Sequence, residues 1–186
     1  MKRSKITILL AIVLGMTFHS CLDLEPQDQL GGKNMWTSVN DYKQFANTFY
    51  SWTRDFSSVV YDGTHSDKRS DLITYQSYNE FSRGINSIPS SDANYTDNYK
   101  HIRRTNLLLQ NAEAYAKPED IKQYIGEAYF FRAYSYFDLL QLYGDVIITK
   151  KPLDITDPEM KVKRNDRSEV VDLIIDDLNH AVENLP

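Results

Sequence analysis

The stretch that decides the fold reads Gly126-Glu127-Ala128-Tyr129-Phe130-Phe131-Arg132-Ala133-Tyr134-Ser135-Tyr136-Phe137-Asp138-Leu139-Leu140, and it runs on into Tyr143-Gly144-Asp145. Nothing between Gly126 and Gly144 interrupts a helix. Pro118 suits its first turn and Gly144 the position just past its last one, so the spacing predicts a helix over Pro118 to Tyr143. At 100° per residue Ile121, Ile125, Tyr129, Arg132, Tyr136, Leu139 and Tyr143 share a face. Phe130, Phe137 and Tyr134 lie well round the cylinder, with Tyr124 and Phe131 further on. The second half is thus apolar on nearly every side, and such a helix needs several neighbours to cover it. Arg132, in the middle of this aromatic stripe, requires a carboxylate or carbonyl partner because a buried charge is costly alone.

Working outward, Lys117-Pro118 ends a preceding helix that runs from about Thr96 to Ala116 and carries Tyr99, Ile102, Arg103, Asn106, Leu107 and Leu109. Asn106 is read as a buried side chain that bonds backbone. Further upstream, Thr37 or Ser38 caps a helix to about Trp52, with Asp41 three residues after Ser38 as an imperfect capping box. Its apolar positions are Val39, Tyr42, Phe45, Ala46, Phe49 and Tyr50. Downstream, Val146 to Leu153 is short, β-branched and extended. A last helix begins near Ser168, with Val171, Ile174, Leu178, Ala181 and Leu185 on one face. Residues 53–95 show no sustained period, and a stretch of that length is often a functional loop. Only 7 Gly and 6 Pro in 186 residues leave little of the punctuation a sandwich or barrel needs. The fold class read from this is all-α, mostly helical, with one long irregular loop. These helices offer the Pro118–Tyr143 rod too little cover, which points to partners from outside the chain.

The front end is a targeting segment. Lys2, Arg3 and Lys5 precede the apolar run Ile6 to Phe18, the pattern of a signal peptide and too short to span a bilayer comfortably, which takes about 20 residues. Cys21, the chain's only cysteine, follows Ser20 where cleavage is expected. It has no internal partner for a disulfide, and its position makes it the expected lipidation site, residue 1 of a lipoprotein carrying acyl chains. Phe18 and His19 depart from the usual lipobox residues, whereas Ser20 fits. The domain reading is therefore 1–20 signal peptide, 21–35 lipidated tether and 36–186 helical domain.

Charge narrows the function. The formal net charge is −5, and loss of residues 1–20 removes three of the 21 Lys plus Arg and none of the 26 Asp plus Glu. There is no basic stripe of the kind nucleic acid requires, so that partner is set aside. An acidic body gains nothing from an anionic membrane surface, and attachment rests on acyl chains. No phosphate loop or nucleophile elbow is present, and His65, His101 and His180 stand apart with no motif around them. His65-Ser66-Asp67 and Asp92-Ala93-Asn94 begin like metal or Ca²⁺ sites but do not continue with ligand spacing. No enzyme, metal or cofactor is expected.

The stretch quoted first, with Tyr143-Gly144-Asp145, resembles the core helix motif of the SusD/RagB family of outer-membrane nutrient-uptake lipoproteins. Three further pieces follow the family's order: Cys21-Leu22-Asp23-Leu24-Glu25-Pro26, Tyr99-Lys100-His101-Ile102-Arg103-Arg104-Thr105-Asn106, and Asp177-Leu178-Asn179-His180-Ala181-Val182-Glu183-Asn184-Leu185-Pro186. Ile147 stands where the family usually has Pro. The resemblance is to the N-terminal part of longer proteins, so the chain reads as truncated at Pro186. It implies a tetratricopeptide-like helical repeat scaffold. It also implies a lipid-anchored, surface-exposed outer-membrane protein that captures a glycan, oligosaccharide or sometimes peptide and passes it to a SusC-like TonB-dependent transporter.

Sugar capture uses aromatic faces with amides, Arg and carboxylates. In this family the N-terminal contribution tends to come from the loop before the second helix. The ligand-binding candidates there are Trp52, Arg54, Tyr61, Tyr75, Tyr78, Phe81 and Tyr95. The aromatics of the Pro118–Tyr143 helix are assigned to core packing. Two other readings use the same residues: a helical scaffold that binds a protein partner without a ligand site of its own, or a fragment with no function. Glycoside hydrolysis would need a defined carboxylate pair.

Overall fold

A computed structural model describes residues 35–54, 84, 85, 87–154 and 156–186. Cys21, Tyr61, Tyr75, Tyr78 and Phe81 lie outside the described residues, as do residues 1–34 of the signal and tether segments. Trp36–Pro186 forms one compact unit. Its elements are α1 (Val39–Asn47), a 3₁₀ turn (Thr48–Trp52), α2 (Ala93–Glu113), a 3₁₀ turn (Pro118–Ile121), α3 (Lys122–Tyr143), a 3₁₀ turn (Pro158–Lys161) and α4 (Arg167–Asn184). Among the described residues the only β pairing is an isolated antiparallel bridge between Val146 and Asn165.

The local signals place the helix ends. Ser38 caps α1, and its box is complete: Asp41 N–H donates to Ser38 Oγ (3.3 Å) and Ser38 N–H donates back to Asp41 Oδ2 (2.8 Å). Before the cap, Trp36 adopts a left-handed φ of 79°. Its ring packs against Tyr42 (5.1 Å) and Phe45 (4.7 Å), which offsets that strain. Asp92 caps α2, so this helix begins three residues earlier than the periodicity suggests. Gly144 closes α3 with φ 71°, and its N–H donates to Leu140 O (3.0 Å).

Two faces differ from expectation. Tyr42, Phe45, Ala46 and Phe49 are buried, but Tyr50 is 53% exposed. The backbone tightens to three residues per turn after Asn47, which keeps Phe49 over Ala46 and swings Tyr50 outward. In α4 the buried set is Val170, Leu173, Ile174, Asp177 and Ala181, whereas Val171 (36%) and Leu178 (39%) face outward. The helix carries apolar residues over a wide arc, and Asp177 decides which part turns inward.

That decision comes from a buried polar node. Arg132 Nε and Nη2 donate to Asp177 Oδ2 (2.8 Å) and Oδ1 (2.6 Å), and Nη1 donates to Asn106 Oδ1 (2.8 Å). Arg132 is 4% exposed, and Asn106 and Asp177 are fully buried. Burial opposes the guanidinium charge, but the hydrogen bonds and charge of Asp177 prevail and raise the Arg132 pKa. The node joins α2, α3 and α4 at their middles. Tyr95 meets Tyr143 at one end of the α2–α3 pair, and Leu185 lies against Gly126 at one end of the α3–α4 pair, so each pair runs antiparallel. At Gly126 an added Cβ would fall 3.0 Å from Leu185 Cγ and 3.1 Å from the Leu185 backbone nitrogen, which is why glycine stands there.

The segment from Val146 to Leu153 runs extended across these helices, and among the described residues it joins no sheet. Side chains take the place of strand partners. Tyr99 Oη donates to Ile147 O and accepts from Ile147 N–H (2.9 Å each). Tyr136 Oη accepts from Thr149 N–H (2.7 Å) and donates to Thr149 O (3.2 Å). Asn106 Nδ2 donates to Thr149 O (3.0 Å) and Lys151 O (3.3 Å). The node therefore reaches this strap through Asn106. The rod α3 keeps some apolar surface in water: Phe131, Tyr136 and Leu139 are buried, while Phe130 (39%) and Phe137 (44%) are exposed.

Removing one partner of the pair strands a buried charge. Asp177→Ala is expected to lower the unfolding free energy by about 3–5 kcal/mol. A urea transition followed by circular dichroism measures it; an unchanged midpoint contradicts the role assigned to the node.

Candidate functional site

On α2, Tyr95, Tyr99 and Arg103 recur every four residues and form one stripe that faces the strap. Between the stripe and the strap lies a cleft of about 430 Å³, lined by Tyr95, Thr96, Tyr99, Lys100, Arg103, Ile147, Thr149, Lys151, Leu153 and Glu159. Its interior is aromatic and aliphatic. Tyr95 and Tyr99 meet at 4.8 Å, and Tyr95 meets the edge of Tyr143 at 5.2 Å. Tyr143 Oη donates to Asp92 Oδ2 (2.6 Å), which holds the Asp92 pKa below its ordinary value and ties the end of α3 to the start of α2. Burial pushes the Tyr99 hydroxyl strongly upward, so it is a neutral hydrogen-bonding group at any physiological pH.

The rim is charged and internally paired. Lys100 Nζ lies 2.7 Å from Asp97, Lys151 Nζ lies 2.6 Å from Glu159, and Arg103 Nε donates to Leu153 O (3.2 Å) with Nη2 3.5 Å from Asp154. These pairs are solvent-exposed and hold little folding energy, so a ligand can exchange with them at low cost. A cleft with ring faces inside and adaptable donors and acceptors outside suits a ligand with one apolar face and a polar edge. Among the described residues Glu159 is the one carboxylate in the lining.

The sequence candidates fall in different places. Tyr95 lines the cleft. Trp52 and Arg54 do not. The half-buried Trp52 stacks on His101 (4.1 Å, 13° between planes) and packs against Phe49 (4.6 Å) and the edge of Phe131 (5.8 Å). Arg54 pairs with Asp138 and lies 5.7 Å from the Tyr134 ring centre. Tyr61, Tyr75, Tyr78 and Phe81 are outside the described residues. Tyr99, Arg103 and the strap residues were not singled out as ligand groups by sequence; the four-residue spacing of Tyr95 and Tyr99 was the available signal. Asp92-Ala93-Asn94 forms a helix cap, with Asn94 N–H donating to Asp92 Oδ1 (2.9 Å).

Residues 22–186 match the family model SusD-like_3, described as starch-binding associating with outer membrane. The chain belongs to the SusD-like family. Similar proteins include SusD-like protein P38 of Formosa agariphila, 28% identical over 99% of this chain and 38% of that protein. SusD-like protein P2 of the same organism is 27% identical over 100% and 39%. The crystal structure of a SusD-like protein from Bacteroides fragilis superposes with a TM-score of 0.67 at 25% identity, covering 87% of this chain and 32% of that one. A laminarin-binding SusD-like protein gives a TM-score of 0.51 at 30% identity over 57% and 23%. This chain spans less than two fifths of the length of the curated relatives it matches. Its mostly helical body fits the tetratricopeptide-like scaffold of these SusD-like neighbours.

The Trp52–His101 stack yields a titration test. Burial lowers the His101 pKa from its ordinary 6.5, with Asp97 opposing and Arg104 and Lys100 adding to the shift. The folded state binds fewer protons than the unfolded one. The stability this confers is complete above pH 6.5 and falls as pH drops from there through the folded pKa. Trp52→Ala opens the ring to water and is expected to raise the His101 pKa toward 6.5 in an NMR titration. An unmoved or lower value contradicts the assignment of the shift to burial under Trp52.

Proposed function

We propose that this chain is the N-terminal part of a cell-surface glycan-binding protein, anchored to the outer membrane through lipid on Cys21. Its task is to capture oligosaccharide and pass it to a SusC-like TonB-dependent transporter. The observation that carries the reading is the match of residues 22–186 to a starch-binding, outer-membrane-associated family. The laminarin-binding neighbour supports a glycan as ligand. The aromatic cleft supplies a place for a pyranose: its apolar face on Tyr95 and Tyr99, its hydroxyls toward Lys100, Arg103, Lys151 and Glu159. The residues at this site bind and orient: ring faces for stacking and charged or hydroxyl groups for hydrogen bonds are the chemistry of capture.

The N-terminal segment fits the same reading. The charged and apolar run before Cys21 directs export, and acyl chains provide attachment that the acidic body does not. A TonB-dependent transporter is the acceptor that the family resemblance implies for a surface-held binding protein.

Isothermal titration of the mature chain against a panel of neutral and acidic oligosaccharides tests the reading. At least one glycan is expected to bind, and Tyr95→Ala is expected to weaken it about tenfold through loss of a stacking face. Phe137→Ala, an exposed aromatic outside the cleft, serves as the control and is expected to leave affinity unchanged. Absence of binding across the panel, or equal affinity of the Tyr95 variant, contradicts it.

A further inference from the structure

The Tyr95–Tyr143 ring contact separates the aromatic cleft from a second cavity. This cavity of about 510 Å³ is lined by Tyr143, Gly144, Asp145, Lys163, Arg164 and Arg167. Tyr95 belongs to the first lining and Tyr143 to the second, and their rings meet at 5.2 Å. The two linings are adjacent through this pair of rings.

The second cavity differs from the cleft in charge. Three cations face one carboxylate there, in a chain whose formal net charge is −5. The cations on the rim of the cleft are paired with Asp97, Asp154 and Glu159. Lys163, Arg164 and Arg167 make no ion pair with a carboxylate among the described residues. The acids nearest in sequence accept hydrogen bonds from groups other than these three side chains. Asp145 Oδ1 accepts from Arg167 N–H (3.0 Å), which fixes the loop after α3 to the start of α4. Asp166 and Glu169 form the capping box of α4, and Glu169 Oε2 accepts from Asp166 N–H and Asn165 Nδ2 (3.1 Å each). The Arg167 side chain stands beside the turn that ends α3. Its guanidinium lies over Gly144, where an added Cβ would fall 2.9 Å from Nη2 and where φ is +71°. A fork of donors thus stands at the wall of the cavity with two further cations beside it, and among the described residues none of the three is in an ion pair.

We propose that this cavity binds an anionic substituent, a carboxylate or a sulfate ester, on the glycan whose sugar ring occupies the neighbouring aromatic cleft, so that the ligand is an acidic polysaccharide. The inference rests on the proposed glycan-binding role and names its substrate class. A uronate carboxylate and a sulfate ester share the relevant chemistry, a planar or trigonal array of oxygens for Arg167 with Lys163 and Arg164 as added charge. An anionic membrane surface is a different ligand and enters as an outcome of the test.

The experiment uses the whole mature chain and the variant Lys163→Gln/Arg164→Gln. Both side chains are exposed and neither takes part in the cap of α4 or the central node. Arg167 is left in place. The probes are a uronic-acid oligosaccharide, a sulfated galactan oligosaccharide, a neutral β-glucan oligosaccharide of the same length, and vesicles of phosphatidylcholine with phosphatidylglycerol. In the native chain one of the acidic probes is expected to bind at least about tenfold more tightly than the neutral one, with affinity that falls as salt rises. The double variant is expected to lose about tenfold for the acidic probe and to flatten the salt dependence, while circular dichroism and neutral-probe affinity stay as they were. Whichever acidic probe responds identifies the substituent. Equal binding of acidic and neutral probes, or an acidic affinity that the variant does not change, overturns the proposal. Vesicle binding that competes with the acidic glycan overturns it as well. If the neutral probe binds through Tyr95 without any acidic preference, this inference alone falls; if no glycan binds, the glycan-binding role falls with it.

Discussion

The arrangement of this protein depends on a guanidinium placed in the middle of a packed helical layer. Arg132 satisfies its planar donor fork with Asp177 from α4 and with Asn106 from α2. All three side chains are buried and satisfy one another. A buried pair of this kind adds little net stability over an apolar replacement, but breaking it leaves an uncompensated charge. Its effect is therefore on register. It fixes which arc of α4 turns inward, aligns α2 with α3, and through the Asn106 amide holds the strap from Val146 to Leu153, which among the described residues has only the Val146–Asn165 bridge as β pairing.

The strap converts a helical scaffold into a binding surface. Three antiparallel helices alone offer only shallow grooves. An extended segment pinned by Tyr99, Tyr136 and Asn106 stands away from α2 and leaves a cleft beside the Tyr95–Tyr99 stripe. The same segment leads, after Asn165, into the basic turn before α4. Both cavities thus owe their shape to one chain path, and the ring contact between Tyr95 and Tyr143 places them side by side.

Much of this was legible in the sequence because the signals were local. The Ser38–Asp41 box, the break at Pro118 and the stop at Gly144 involve residues within a turn of one another, and the helices follow them. The need for a partner at Arg132 was also legible; its identity was not, because Asp177 lies 45 residues away among 26 acidic residues. The same ignorance misplaced the α4 face, since Val171 and Leu178 are as apolar as Val170 and Leu173 and only the Asp177 contact chooses between them. Tyr50 was misplaced because nothing in the composition of Thr48–Trp52 announces a 3₁₀ turn. Of the candidate site, Tyr95 was read from its residue type and loop position. The second tyrosine, the strap and the cations of residues 163–167 required the tertiary path to bring them together.

The most direct test of the central claim replaces the ion pair with apolar residues and asks what is lost. In Arg132→Met/Asp177→Leu, global stability is expected to stay within about 2 kcal/mol of the native value, because well-packed apolar groups substitute for a buried pair. Native-state hydrogen exchange then reads the strap. The Ile147 and Thr149 amides, which donate to Tyr99 and Tyr136, are predicted to lose about tenfold or more in protection while the central amides of α3 keep theirs. Undiminished protection at Ile147 and Thr149 in that variant would contradict the account.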